Sequence, residues 1–159
     1  KYAKQGMNAF EIKNRLEKEA YDASIYIAVD TLAYLKKGGR VTAAAAAIGT
    51  VLNLKPVLTI QGEKLDAYAK ERGMKKARHV MIKAMQKDFE ERFAELDKQG
   101  RMRLCIAYSH VDDETLQSWI DEVNEAFPGR DLLISPLSLS IGCHIGPGAL
   151  AIAACRMEP

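Results

Sequence analysis

The amino-acid sequence predicts an α/β fold of the α+β type, a mixed and mostly antiparallel sheet flanked by helices. Three observations point there. Stretches of strand propensity alternate with stretches of helical periodicity along the 159 residues. Residues 57–60 and 65–72 are separated only by Gln61-Gly62-Glu63-Lys64 and read as a hairpin, so the sheet is not purely parallel. From Gly73 to about Gln99, Ala77, Val80, Met81, Ala84, Met85, Phe89, Phe93 and Leu96 fall on one helical stripe, as in a helix lying on a sheet.

Taken in order, residues 1–23 read as helix. Gly6 divides a first turn from an amphipathic run with Phe10, Ile12, Leu16 and Ala20 at near-helical spacing. Residues 24–29 have strand propensity. Asp30-Thr31 offers an N-cap to a short helix at 32–37, with Gly38 expected as its left-handed C-cap. Val41-Thr42 leads into an alanine-rich helix at 43–53. Its run of alanines lets a neighbouring backbone approach closely or leaves room for a guest. The hairpin and the long helix follow, and Gly100 ends the helix. Residues 104–108 form a buried strand. Asp112 or Asp113 caps a helix bearing Leu116, Trp119, Ile120, Val123 and Phe127, which Pro128-Gly129 terminates. Residues 132–134 are a strand, 140–149 a glycine loop and 148–156 the last strand.

Charged residues at 28% and hydrophobic residues at 48% fit one soluble globular domain. A net charge of +2 with no aromatic-basic stripe argues against nucleic acid. Cys105, Cys143 and Cys155 are odd in number and lie among apolar neighbours, as buried thiols do in a reducing cytoplasm. Without a Cys-x-x-Cys pair, no structural zinc is expected. The longest apolar run, 41–52, falls short of the roughly 20 residues that cross a bilayer. No signal peptide is visible, and the chain opens on Lys1 inside a helix. Further sequence is therefore expected upstream of the helical residues 1–23.

Four stretches are candidates for chemistry. Residues 140–149 set His144 among Gly142, Gly146, Pro147 and Gly148. This is either a turn with a histidine in passing, or a shaped loop whose amides and imidazole meet an anion or carboxylate. Lys36-Lys37-Gly38-Gly39-Arg40 is either a capped helix end with solvated charges or an anion site; the P-loop spacing is absent. The basic cluster from Lys70 to Arg78 is a solvated surface or a docking patch for an acidic partner. In Ser109-His110-Val111-Asp112-Asp113-Glu114, helix capping accounts for the carboxylates, and no metal is expected. Ser109, His144 and Asp30 make a catalytic triad only on paper, with no nucleophile elbow to support it.

Several of these stretches converge on one family. Asp30-Thr31-Leu32, then Tyr34-Leu35-Lys36-Lys37-Gly38-Gly39-Arg40-Val41, Leu52-Asn53-Leu54-Lys55-Pro56-Val57-Leu58, Gly62, Arg72, Lys75-Lys76-Ala77, and His144-Ile145-Gly146-Pro147-Gly148-Ala149-Leu150 closely resemble the C-terminal half of DegV family proteins. The match runs in order over nearly the whole chain. The resemblance implies that residues 1–159 are the C-terminal domain of a two-domain bacterial fatty-acid-binding protein. The lipid would lie in a cleft shared with an N-terminal domain, whose Ser and Thr side chains hold the carboxylate with help from the histidine matching His144. It further implies a non-enzymatic, cytoplasmic protein, without a cofactor beyond the bound fatty acid. Such a protein would present its ligand to the catalytic subunit of a fatty acid kinase and make at most peripheral membrane contact during lipid exchange.

On this reading His144, Gly146 and Gly148 bind the carboxylate. Ala44, Ala45, Ile48, Leu150 and Ile152 wall the lipid tail, and Arg40, Arg72 and Lys37 dock the kinase. An acyl hydrolase or transferase using His144, or a domain that only docks a partner, are the alternatives. Burying about 14 methylenes at roughly 0.8 kcal/mol each exceeds a charged hydrogen bond of about 1.5–3 kcal/mol. The tail would therefore set affinity and His144 the orientation.

Overall fold

The computed structural model describes residues 2–39, 54–62 and 65–157. A 3-10 turn, Tyr2–Gln5, precedes α1, Ala9–Glu19. Then follow β1, Ala23–Ala28; α2, Ala33–Lys37; β2, Leu54–Ile60; and β3, Leu65–Arg72. The second half comprises α3, Met74–Glu91; α4, Ala94–Lys98; β4, Met102–Tyr108; α5, Asp113–Ala126; β5, Leu132–Pro136; α6, Leu139–Ile145; and β6, Leu150–Arg156. The strands form one sheet in the order β3-β2-β1-β6-β4-β5. Every pairing is antiparallel except β4 with β5. The expected mixed, mostly antiparallel sheet with its hairpin is therefore present.

The two faces of the sheet are covered differently. On one face, Tyr26, Ala28, Val57, Leu104, Ile106, Leu150, Ile152 and Ala154 pack beneath α3 and α5. Trp119, the only tryptophan in the sequence, is fully buried there and donates its indole N–H to the Ala151 carbonyl at 3.3 Å. Its native emission is expected to be blue-shifted and to move to the red in one step on unfolding; red-shifted native emission would contradict this packing. On the other face, Ile27, Val29, Leu58, Ala149 and Ala151 pack with Leu32 and Leu35 of the α2 region and Ile145 of α6.

Several expectations need correction. The amphipathic helix before β1 exists, but it buries nothing: Phe10 is 70% exposed and Leu16 53%. Polar contacts hold it instead. Tyr2 donates to Glu19 at 2.6 Å, and Arg156 reaches Glu19 and Asp22 at 3.5 and 2.9 Å. β2 starts three residues earlier than expected and includes Pro56. Pro56 stands opposite Val29, just past the last β1–β2 pair at Ala28 and Val57, and without an N–H it ends that ladder. The Pro56 carbonyl still accepts from Val29 at 3.2 Å.

The long helix breaks after Glu91. The amides of Arg92 and Phe93 both donate to the Asp88 carbonyl, at 2.9 and 2.8 Å, so the chain turns before α4. Phe93 nevertheless stays buried, which is why the periodicity runs unbroken through the turn. Gly38 is not left-handed. Its φ is −80°, and the reversal falls on Gly39 at φ 63°. Finally, 140–149 is not loop throughout: Leu139–Ile145 is helical, with Gly142 inside it. One interior glycine costs a helix only about 1 kcal/mol relative to alanine. Asp112, by contrast, caps α5 as anticipated, accepting from the Thr115 amide at 2.7 Å.

Candidate ligand-binding site

The two glycine-bearing motifs meet through reciprocal contacts between α2 and α6. His144, in the last turn of α6, lies over Gly38 at the end of α2. A Cβ on Gly38 would stand 2.8 Å from the imidazole Nδ1 and 3.6 Å from Cε1. In return Tyr34 of α2 lies over Gly146, where a Cβ would come within 2.4 Å of the ring. Gly146 has φ 77° and ψ −177°, a region that essentially only glycine occupies. Gly38 is thus required by close approach and Gly146 by both approach and backbone. His144 is half-buried, and neither ring nitrogen has a hydrogen bond among the described residues.

The loop amides do not serve as first expected. Gly146 donates to the Gly142 carbonyl at 2.8 Å and Gly148 to the His110 carbonyl at 2.9 Å. Ala149 donates to the Ser109 hydroxyl at 2.8 Å. With these donors committed inside the chain, Gly146 and Gly148 shape the turn. Gly148 brings its backbone against Asp30, to which a Cβ would approach within 3.0 Å. The paper triad does not assemble, since Asp30 pairs with Lys55 at 2.5 Å and the Ser109 hydroxyl accepts from Ala149.

The remaining candidates fall as follows. Leu150 and Ile152 are fully buried on the α3–α5 face, opposite to His144, because successive β6 side chains alternate between faces. On the His144 side lie Ala149, just before β6, and Ala151, then by alternation Ala153 and Cys155, the last two half-buried. Ile25 of β1 and Cys105 of β4 lie directly across from Ala153 on the same face. Arg40, Ala44, Ala45 and Ile48 lie outside the described residues. Lys37 is exposed at the end of α2, and Arg72 is exposed on the edge strand opposite Leu54.

The basic stretch after β3 lines a groove of about 880 Å³ between α3 and α5, away from His144. Lys75, Lys76, His79 and Lys83 face Glu71, Glu122 and Glu125 there, so its charges are mixed. No cluster of three or more potential metal ligands occurs among the described residues. No helix among them is long and apolar enough to cross a membrane. Tyr34 and the alanine floor were not anticipated. The tyrosine had no motif to mark it, while the floor was latent in the alternation of β6.

A mixed, mostly antiparallel sheet flanked by helices, with His144 packed over Gly38 and Tyr34 over Gly146, places the chain in the α+β class. Residues 1–157 match the model of the family described as "Uncharacterised protein, DegV family", and the chain belongs to that family. A DegV domain-containing protein of Clostridium perfringens is 35% identical over 152 residues, 94% of this chain and 49% of that protein. Protein DegV of Bacillus subtilis is 30% identical, over 91% of this chain and 49% of its own length. The chain therefore spans about half the length of these relatives. Among solved structures, a fatty-acid-binding DegV family protein from Streptococcus agalactiae superposes with a TM-score of 0.78 at 26% identity, covering 99% of this chain and 52% of that one. A DegV family protein from Thermus thermophilus, described by its fatty acid binding, gives 0.73 at 31%, covering 98% and 53%.

Proposed function

We propose that this chain is one half of a two-domain, non-catalytic carrier of a long-chain fatty acid. His144 donates a hydrogen bond to the lipid carboxylate, and the acyl chain runs along the sheet face floored by Ala151 and Ala153. These replace Leu150 and Ile152 in the role of tail wall; Ala44, Ala45 and Ile48 keep theirs. The observation that supports the reading is the packing of His144 over Gly38, which holds an imidazole without a hydrogen-bond partner among the described residues. The fatty acid binding of its structural relatives supports the ligand class. An upstream domain supplies the remaining carboxylate partners, and residues 1–23 lead in from it.

Further along the same reading, the protein acts in the cytoplasm and presents the carboxylate to a kinase subunit that docks near Lys37, Arg40 and Arg72. Retention of that partner should fall with Arg72→Glu in a pull-down, and equal retention would remove Arg72 from the docking surface. The central test is native mass spectrometry of the full-length protein as purified from cells. A bound fatty acid is expected, with His144→Ala lowering its retention while the thermal midpoint holds. A full-length protein that carries no lipid and takes none up would overturn the reading.

A further inference from the structure

One cluster of reactive side chains, toward the far end of the sheet face that carries Ala151 and Ala153, has no chemical role in the reading above. Cys105 of β4 and Cys155 of β6 are on neighbouring antiparallel strands. Their register pairs Arg103 with Cys155 and Cys105 with Ala153, so the two thiols are diagonal neighbours on one sheet face. Both are unoxidised and half-buried. Arg103 stands directly across from Cys155. Its guanidinium pairs with Asp131 at 2.8 Å, and the Arg103 side chain is only 35% exposed. The neighbouring Cys105 thiol, aided by Arg103, pulls the Cys155 thiol below the ordinary cysteine range. The Cys155 thiol, with burial, pushes Cys105 up. The third cysteine, Cys143, is the most exposed of the three but has no such neighbours among the described residues.

We propose that Cys105 and Cys155 form a peroxide-reactive dithiol, in which Cys155 is oxidised first and Cys105 resolves it to a cross-strand disulfide. In the first step the Cys155 thiolate attacks hydrogen peroxide. An S–O bond forms, the O–O bond breaks, hydroxide leaves, and the sulfur becomes a sulfenic acid. In the second step the Cys105 sulfur attacks that sulfur, forming the S–S bond. The sulfenic oxygen leaves as water, carrying the Cys105 proton. The two thiols together are oxidised by two electrons and one peroxide is reduced to two waters.

Diagonal residues on an antiparallel ladder stand about 7–8 Å apart, beyond what a disulfide spans without backbone movement. Closing the bond must therefore draw β4 and β6 together locally. The register ends one pair beyond, at Met102 and Arg156, with Met157 still donating to the Arg101 carbonyl at 2.7 Å.

The test is peroxide treatment of the full-length protein, followed by alkylation and peptide mapping. A Cys105–Cys155 linked peptide is expected, with Cys155 consumed about tenfold faster than Cys143. In Cys105→Ser, Cys155 should be trapped by dimedone as the sulfenic acid. In Cys155→Ser, Cys105 should stay alkylatable at the same peroxide dose. If Cys143 reacts first while the pair stays alkylatable, exposure alone governs reactivity and the proposal fails. It also fails if a Cys155 sulfenic acid accumulates in the unaltered protein with no linked peptide. Equal oxidation of Cys105 with and without Cys155 would overturn the order of the two steps.

Discussion

Asp88→Ala is expected to lower the thermal midpoint by roughly 6–12 °C, from a loss of about 3 kcal/mol when a buried charge pair is broken in a domain of this size. The Asp88 carboxylate is 5% exposed, on the face of α3 that meets β1. It accepts from the Tyr26 hydroxyl at 2.8 Å and from the Arg92 guanidinium at 3.0 Å. That guanidinium also donates to the Ser24 hydroxyl at 2.5 Å and the Tyr21 carbonyl at 2.9 Å. One carboxylate thus ties the helix to the strand and holds the turn at Arg92. Removing it leaves a phenol without its acceptor and an arginine without its countercharge at the start of β1. The lower end of the range for a broken buried pair applies because the Arg92 side chain is 30% exposed and water takes up part of the deficit. Asp88→Asn retains an acceptor oxygen and should lose distinctly less.

The same contact sets an alkaline limit. Burial first, and then the bond to Asp88, raise the Tyr26 phenol above the usual tyrosine range. The unfolded chain releases this proton at about pH 10 while the native state keeps it, so stability falls as pH rises beyond that value. Tyr26→Phe should flatten that decline. A melting point for Asp88→Ala within about 2 °C of the parent would show that the network carries little.

This network explains one limit on what the sequence discloses. Phe89, Phe93 and Leu96 continue the helical period straight across the break, because each side of the turn still faces the core. What bends the chain is a polar residue inside the apolar stripe, bonded to residues on a distant strand. Local patterns were sufficient where local forces decide: the hairpin around Gly62, the Asp112 cap, and the strands of high β-propensity. They were insufficient at α6, where the glycines suggested loop. The N-cap position of Ser138 and the Ile141–Ile145 spacing were the helical signals available.

The candidate site was legible as two motifs and a family resemblance, but not as a geometry. Gly38 was read as a helix cap because a glycine after two lysines ordinarily is one. Only the folded chain reveals that its missing side chain makes space for His144. Similarly, alternation along β6 divides its residues into two faces but does not say which one meets the histidine. The bulkier Leu150 and Ile152 proved to belong to the core beneath α3 and α5, and Ala151 and Ala153 to the opposite face.

Gly38→Ala should weaken fatty acid retention roughly 10- to 100-fold, the equivalent of losing one hydrogen bond to a charged group at about 1.5–3 kcal/mol. The substitution is informative because its two physical effects have opposite signs. Gly38 has ordinary right-handed geometry, and alanine there is favoured over glycine by up to about 1 kcal/mol in a helical turn. Were the site irrelevant, the variant would be as stable as its parent or more so, and would bind equally well. The added methyl, however, would lie 2.8 Å from Nδ1 of His144, closer than real Cβ contacts come. The imidazole must turn away, and the carboxylate loses its donor although His144 is still present. Gly38→Ala should therefore resemble His144→Ala in lipid retention, and combining the two should add little. Additive losses in the double variant would mean that Gly38 acts on the ligand by some route other than the histidine. Unchanged retention in Gly38→Ala, with His144→Ala impaired, would mean that the imidazole has room to bind from a second orientation.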